Sequence, residues 1–215
     1  MSEIIVTTEN SVVSGARVYD LYETLRASGY PMRTEKIDYI SPWLWDGHEG
    51  YDLTPDINRC KSLIKAVESD NAAHGQFLTG ILVSFDLTFT VKAWTEAERY
   101  KFLYFISSQS SMHRIARFDT NTCFDGHVDE RCIEVVKQLI EDYNTEMDPE
   151  KKKKKKYLNL LYSCPTGLRL TARVTTNYRC LRNIYKQRKT HRLPEWRAFC
   201  IWMEKLPYAE EFIIN

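Results

Sequence analysis

The sequence predicts an α+β fold in which one antiparallel sheet is flanked by several helices. Between residues 81 and 93, apolar side chains alternate with mostly polar ones over 13 positions, which is the period of a strand with one buried face. A buried apolar helix over these residues is the alternative, and we reject it because the period is two throughout. Other segments carry apolar residues at helical spacing, so helices are expected to cover the sheet.

Length and composition set the class of the protein. A chain of 215 residues with 43% apolar residues supports one real core, and we expect a single domain over residues 1–215. The net charge of +1 gives no strong attraction to DNA or membranes. No segment reaches about 18 consecutive apolar residues, and the N-terminus lacks a signal-peptide pattern. The six cysteines are scattered without a CxxC pair, so we expect a reduced, cytoplasmic setting.

The N-terminal half is predicted to contain a strand and two helices. Residues 3–7 have strand composition, and residues 16–28 place apolar side chains at helical spacing. The Thr-Pro pair at 54–55 begins the second helix, because proline is favoured at the first helical position. The irregular segment before it carries Trp43 and Trp45, which we expect to cap the core.

The C-terminal half is predicted to be mainly helical. Thr95 and Glu98 form a capping box for a helix that runs into residues 107–119, and another helix covers 129–144. Six consecutive lysines at 151–156 repel one another and predict an exposed, loosely ordered loop. The remaining predicted elements are a short helix at 157–163, an extended segment at 168–174, a helix from Asn177 and a final helix from Pro194.

Common catalytic and nucleotide-binding signatures are missing from the sequence. It contains no GxGxxG, P-loop, GxSxG or HExxH pattern. Two cysteines and two histidines could be imagined as a metal site (Cys123, His127, Cys132 and His113), but their spacing matches no common zinc pattern, so we predict no metal. What remains is a set of arginines and amides suited to phosphates and flat heterocycles. Its members are Gln109, His113 and Arg114 in the middle of the chain, and Asn177, Arg179, Asn183 and Arg188 near its end.

The predicted helix from Asn177 arranges some of these groups along one face. Asn177 and Arg188 are 11 residues apart and share a face about 16 Å long. Leu181 and Ile184 lie between them and form an apolar floor. An amide, an apolar floor and a guanidinium suit an elongated, partly aromatic anion, and a surface helix with ordinary polar residues is the alternative.

Three motifs follow one another in an order that a known enzyme family shares. The most specific is VTTNYRCLRNIYKQR at 174–188, preceded by Pro165 at the family's distance. The others are Gln109 followed by HRIA at 113–116, and LTFTVKA at 87–93. With these motifs the chain resembles the flavin-dependent thymidylate synthase family (ThyX), especially its short phage-type members.

The resemblance covers residues from about 74 to 205, and residues 1–70 match nothing that we can place. It implies reductive methylation of deoxyuridine monophosphate (dUMP) at C5, with bound FAD and with NADPH and methylenetetrahydrofolate as cosubstrates. It also implies a homotetramer with active sites between subunits. The predicted partners include neither a membrane nor nucleic acid.

The resemblance also implies a role for each matched residue. Gln109 and Arg188 would face dUMP, and Arg188 would be catalytic because a guanidinium stabilises negative charge that builds on the pyrimidine oxygen. His74, in the predicted loop 69–80, is included in the cofactor set, although a lone loop histidine is usually solvated. The full set implied for FAD is His113, Arg114, Asn177, Arg179 and Asn183, with His74.

Four positions depart from the family pattern. They are Met112 at the first arginine of the family's R-H-R, Thr122 and Phe124 at its serine and arginine, and Leu161 at an arginine near the phosphate. A phosphate dianion that loses two cationic partners binds more weakly. We therefore expect Arg117 or Arg173 to contact the phosphate, with Arg169 as a further local candidate.

The departures leave other functions open. One is one-carbon transfer to another pyrimidine nucleotide, and a second is binding of flavin or nucleotide without turnover. A third is binding of nucleic acid or a protein partner through the lysine run.

Overall fold

A computed structural model of the chain describes residues 2–36, 52–68 and 72–215. The predicted capping tryptophans, Trp43 and Trp45, lie outside the described residues. The chain forms two compact units. The first unit comprises Met1–Asp86, Tyr100–Tyr104 and Val174–Asn215, and the second comprises Leu87–Arg99 and Phe105–Arg173.

Five strands form one antiparallel sheet, and helices flank it, which confirms the predicted α+β class. The strands are β1 (Glu3–Val6), β2 (Val13–Tyr19), β3 (Leu82–Thr90), β4 (Tyr104–Ser108) and β5 (Arg169–Asn177), in the order β1-β2-β3-β5-β4. In the β1–β2 pair, Ile4 lies opposite Val18. β3 is the strand predicted from the alternation, and it ends at Thr90 instead of Ala93.

The helices follow in chain order between and after the strands. They are α1 (Leu21–Ala27), α2 (Thr54–Glu68), α3 (Val91–Ala97), α4 (Ser111–Arg114), α5 (Glu130–Thr145), α6 (Pro149–Lys151), α7 (Tyr157–Ser163), α8 (Tyr178–Arg188) and α9 (Pro194–Met203). Short 3₁₀ turns cover Tyr30–Met32, Ala72–Thr79 and Ile115–Arg117, and π-helical turns cover Lys152–Lys156 and Glu210–Ile214. Among the described residues, no helix combines the length and apolar character needed to cross a bilayer.

The predicted helix at residues 16–28 is wrong in its first part. Ala16 and Val18 belong to β2, where both side chains are buried and pair with β1. The chain then turns at Asp20, which has a left-handed backbone with φ of 61°. The helix therefore begins only at Leu21, because the sheet competes successfully for the residues before the turn.

The predicted helix from Thr95 into residues 107–119 is also wrong. The cap of helix α3 is Thr90, five residues before the predicted cap at Thr95. The Thr90 side chain accepts a hydrogen bond from the Ala93 N–H at 3.2 Å. A threonine that caps in this way ends a strand and starts a helix. Tyr104–Ser108 then forms strand β4 instead of continuing a helix.

The lysine run is helical instead of a loose loop. Lys152–Lys156 forms a π-helical turn that joins α6 to α7. Acidic groups offset the mutual repulsion, since Lys154 pairs with Glu150 at 2.5 Å and Lys156 pairs with Asp142 at 3.1 Å. The prediction considered only the repulsion between lysines and not these acidic partners.

The core of the first unit is aromatic. Phe85 on β3 is fully buried, and its ring centroid lies 4.9 Å from that of Trp202 and 5.5 Å from that of Phe199 on α9. The Trp202 indole N–H donates to the Thr8 carbonyl at 3.1 Å, which satisfies its polar atom. The buried face of α9 therefore matches the prediction from its apolar spacing.

The core of the second unit is a separate apolar cluster. Its fully packed members are Ile115, Phe124, Val136, Leu160 and Leu168. All six cysteines of the chain are free thiols. Burial raises the pKa of Cys200 to about 12 and that of Cys164 to about 11, so both stay protonated at neutral pH.

We expect Trp202→Ala to lower the free energy of unfolding by about 3–5 kcal/mol, because the change leaves a cavity beside Phe85. Its neighbour Ile201 is 57% exposed, so Ile201→Ala is the matched control and should cost less than about 0.5 kcal/mol. Urea denaturation measures both values. Equal losses in the two variants would contradict this description of the core.

Candidate active site

Arg188 ends helix α8 in the first unit, and two aromatic rings flank its guanidinium. Its Cζ lies 4.8 Å from the ring centroid of Trp196 and 5.5 Å from that of Tyr100. The two rings meet edge to face at 5.7 Å. A cation within about 6 Å of an aromatic face is attracted by the ring quadrupole, so the rings restrict where the guanidinium can lie.

Hydrogen bonds fix the same guanidinium. Its Nε–H donates to the Tyr100 hydroxyl at 2.8 Å, and its Nη1 donates to His191 Nε2 at 2.8 Å. The Tyr100 hydroxyl in turn donates to Gln187 Oε1 at 2.9 Å. Burial raises the pKa of Tyr100, and the hydrogen bond and charge of Arg188 offset this only in part. Tyr100 therefore stays a neutral phenol that accepts one bond and donates another.

The predicted apolar floor of α8 is wrong. Leu181 and Ile184 are fully buried, so this face of the helix packs in the protein core and is closed to a ligand. The alternative of a surface helix with ordinary polar residues agrees with the exposed side chains of Asn183, Lys186 and Gln187. The amphipathic spacing was read correctly as one face, but it marks a core contact.

Asn177 is placed at the start of α8 as predicted, and its side chain caps the helix. Its Oδ1 accepts from the Cys180 N–H at 2.9 Å, and the residue is 9% exposed. Asn183 lies six residues further on, is exposed, and accepts a hydrogen bond from the Gln187 amide at 3.0 Å. The oxygen of Asn177 is thus engaged by the protein, while its amide NH₂ keeps its donor character.

Gln76 contacts Arg179 and lines the same cavity as His74. The Arg179 Nη1 donates to Gln76 Oε1 at 2.6 Å. His74 and Gln76 line a cavity of about 440 Å³ together with residues of α1 and α2. His74 is exposed on the 3₁₀ turn, and this cavity is the surface that it faces.

The second unit carries the other predicted residues. Gln109 follows β4, its N–H donates to the Thr171 carbonyl at 2.9 Å, and its Oε1 accepts from the Thr171 N–H at 2.9 Å. This amide oxygen therefore extends the β4–β5 pairing. The basic groups nearby are exposed His113 and Arg114 on α4, exposed Arg117 after it, and half-buried Arg173 on β5.

Arg169, the further candidate for the phosphate, is paired with Asp125. Its Nη2 lies 2.9 Å from Asp125 Oδ2, and His127 bonds the other oxygen at 2.8 Å. Burial raises the pKa of Asp125, but the hydrogen bonds from His127 and Arg169 outweigh it and lower the pKa to about 2. This carboxylate stays charged and holds Arg169 in the second unit.

Two of the four departures have clear structural reasons. Phe124 is 9% exposed within the core of the second unit, a place where an unpaired arginine would be costly. Thr122 donates its hydroxyl to Asp119 at 3.1 Å. Met112 is 56% exposed and Leu161 is half-buried, and the structure gives no reason for these two residues.

Sequence reasoning missed the residues that hold Arg188. Tyr100 is 88 residues away in sequence, and no local pattern connects the two. His191 and Trp196 follow Arg188 closely in sequence, and Trp196 lies in the final helix predicted from Pro194. No group of three or more metal-ligating side chains occurs in the part of the chain that the structure describes.

No protein-family model and no curated protein matches this sequence. Solved structures do match. Flavin-dependent thymidylate synthase ThyX from Helicobacter pylori, complexed with FAD and dUMP, aligns with a TM-score of 0.62 at 15% identity, over 99% of this chain and 98% of that chain. A second structure of ThyX from the same organism, with FAD and dUMP, aligns with a TM-score of 0.58 at 16% identity, over 89% of this chain and 93% of that chain.

This chain has the ThyX fold. At such low identities the likeness shows the fold alone. The likeness includes the N-terminal residues that the sequence motifs left unmatched, since it covers 99% of the chain.

We expect Asn177→Ala to lower the free energy of unfolding by about 0.5–2 kcal/mol, because α8 loses its N-cap. Asn183→Ala is the matched control on the same helix and should change it by less than about 0.5 kcal/mol. Urea denaturation measures the cap, and the FAD retained by each purified variant measures the predicted cofactor contact separately. Unchanged stability of Asn177→Ala would contradict the capping role.

Proposed function

We propose that this protein is a flavin-dependent thymidylate synthase that converts dUMP to dTMP with FAD, NADPH and methylenetetrahydrofolate. The observation that carries the proposal is the fixed guanidinium of Arg188, at the end of the helix whose sequence resembles the family motif. The shared fold with ThyX proteins that bind FAD and dUMP supports it. The free thiols support a reducing, cytoplasmic setting.

Arg188 is the proposed catalytic residue. A guanidinium beside a pyrimidine carbonyl would stabilise the negative charge on the oxygen in the enolate form of the ring, which is the form in which C5 is nucleophilic. Tyr100, Trp196 and His191 orient Arg188 before the substrate arrives. A donor that is held in advance needs little reorganisation in the reaction, which increases its contribution to the rate.

The residues assigned to FAD have suitable chemistry. Arg179 and Arg114 carry the guanidinium groups that bind phosphates, and Asn183 carries an exposed amide for the edge of a flat ring. His74 and His113 complete the proposed cofactor set, with the NH₂ group of Asn177. FAD, when bound, supplies the redox chemistry of the methylation.

The phosphate of dUMP is proposed to bind Arg117 or Arg173. Both lie in the second unit, and Arg169 is paired with Asp125. Gln109 is proposed to face the substrate. Its side-chain oxygen is bonded to Thr171, so its NH₂ group remains as a donor for the nucleotide. Arg117 or Arg173 would replace the cations that the departures removed.

A changed pyrimidine substrate is a second candidate. Leu161 stands where the family motif carries an arginine near the phosphate, which favours a substrate or a binding mode with different charge requirements. The same loss of arginines also favours a protein that binds flavin or nucleotide without turnover.

The test is a turnover assay with FAD, NADPH and methylenetetrahydrofolate against a panel of pyrimidine monophosphates. The proposal expects a yellow protein that releases FAD on denaturation and methylates dUMP in preference to the others. Product from another pyrimidine alone would replace dUMP as the substrate. Flavin without any product would favour the binding protein, and neither flavin nor product would overturn the proposal.

We expect Arg117→Ala or Arg173→Ala to raise the KM for the nucleotide at least about tenfold, because a lost charge-assisted contact costs about 1.5–3 kcal/mol. Arg131→Ala, an exposed arginine on α5 that pairs with Asp129 at 2.8 Å, is the matched control and should leave KM unchanged. Steady-state kinetics measure all three variants. An unchanged KM in both test variants would remove these two residues from the site.

We also propose that the protein assembles as a homotetramer, with β4 in a subunit contact. β4 ends the strand order, and Phe105 and Ile106 on it are 42% and 63% exposed. Its neighbour Phe102 is 48% exposed. A hydrophobic edge strand left in water favours pairing with another chain.

We expect Ile106→Lys to reduce the mass of the assembly in light scattering, because a charge on an edge strand opposes pairing. Met147, at 90% exposure, supplies the matched control Met147→Lys, which should keep the wild-type mass. A wild-type protein with the mass of a single chain would contradict the assembly, and an unchanged mass for Ile106→Lys would contradict the role of β4.

A further inference from the structure

Both ring nitrogens of His191 face hydrogen-bond donors. His191 Nε2 lies 2.8 Å from the Arg188 Nη1, and His191 Nδ1 lies 3.3 Å from the Leu193 backbone N–H. A guanidinium and a backbone N–H can only donate. Each contact therefore requires the ring nitrogen to be an acceptor.

A neutral imidazole offers only one acceptor nitrogen, since the other carries the proton. The two contacts of His191 thus compete. The contact with Arg188 at 2.8 Å is shorter than the contact with Leu193 at 3.3 Å. It is also charge-assisted, which makes it the stronger of the two. The geometry therefore favours a ring with its proton on Nδ1 and its lone pair on Nε2.

We propose that His191 is a positioning residue that holds Arg188 only when its imidazole is neutral and protonated on Nδ1. A second proton, on Nε2, replaces the acceptor by a donor and makes the ring a cation. Two cations then face each other, so Arg188 leaves its position. The consequence for catalysis rests on the proposed role of Arg188 toward the nucleotide. The inference adds a proton-controlled step to that role.

The groups around the ring are consistent with this function. From α8, the charged neighbour is Arg188 itself, and from α9 it is Arg197, whose Nη1 donates to the His191 backbone carbonyl at 2.6 Å. The Trp196 ring meets the imidazole edge to face at 6.4 Å. Near Arg188, the Tyr100 phenol and the Cys200 thiol are held neutral by burial, which raises the pKa of both.

Glu195 precedes Trp196 on α9 and is buried, and it has interactions of its own. The Arg188 guanidinium contacts His191 Nε2 directly at 2.8 Å, so protonation of Nε2 removes the acceptor of this contact.

The functional test is the pH dependence of nucleotide turnover in the full-length, FAD-loaded protein. Wild type is expected to lose kcat, measured at saturating dUMP so that titration of the free nucleotide phosphate does not enter, on acidification with a one-proton slope. In His191→Gln, an amide oxygen accepts from Arg188 at every pH, so kcat near neutral pH should stay within about threefold and the acid limb should disappear. In His191→Phe, the acceptor is lost, and kcat should fall at least tenfold at every pH without that limb.

A purely structural role for His191 would lower activity in both variants alike and leave the acid limb in place. That result would overturn the proposal, and so would wild-type activity in His191→Phe. Rescue by glutamine, which keeps the acceptor and removes the titration, is the outcome that only a positioning role gives.

A second measurement keeps this inference separate from the proposed function. Long-range nitrogen NMR on protein labelled at its 5 histidines, assigned with His191→Gln, reports which ring nitrogen carries the proton. We expect a protonated Nδ1 and an unprotonated Nε2 at pH 8, and loss of this preference in Arg188→Met. The opposite tautomer would overturn the inference even in an active enzyme. If the protein shows the expected tautomer but no turnover, the hydrogen bond between His191 and Arg188 stands and only the proposed function is rejected.

Discussion

The guanidinium of Arg188 is the group on which the account of this protein depends. It is a permanent charge held at a defined position by three residues, which are Tyr100 through its ring and hydroxyl, Trp196 through its ring and His191 through its imidazole. His191 and Trp196 follow Arg188 closely in sequence, whereas Tyr100 is 88 residues away, so the position of the charge depends on the tertiary fold through Tyr100. Helix α8 brings Arg188 to this place because Asn177 caps its start and Leu181 and Ile184 anchor its buried face. Residues read from the sequence as a ligand site thus serve in part to build the helix that carries the charge.

The sequence predicted those parts of the fold in which a local pattern decides the structure. The alternation around Phe85 gave β3, and the apolar spacing after Pro194 gave the buried face of α9. The sequence failed where two local preferences compete, as at Ala16–Tyr19, where sheet pairing prevailed over helical spacing. It also failed at the lysine run, because the acids that pair with the lysines include Asp142 on helix α5.

The sequence predicted the helix that carries Arg188, but it did not predict which residues contact the guanidinium. The motif around Asn177–Arg188 placed the right helix, but pattern alone could not say that Tyr100 bonds the guanidinium from 88 residues away. The departures from the family pattern were visible in the sequence, and the structure explains Phe124 as a core residue. The pairing of Arg169 with Asp125, 44 residues away, likewise became visible only in the structure. Local sequence patterns cannot predict long-range contacts of this kind.

Calorimetric titration of dUMP into the FAD-loaded protein, with wild type compared with Arg188→Ala, tests directly whether the Arg188 guanidinium binds the nucleotide. The account predicts saturable binding by wild type and an affinity at least about 100-fold lower in the variant, since loss of a held, charged donor costs roughly 3 kcal/mol. Equal affinity in both proteins, or a wild type that binds dUMP only without flavin, would contradict it.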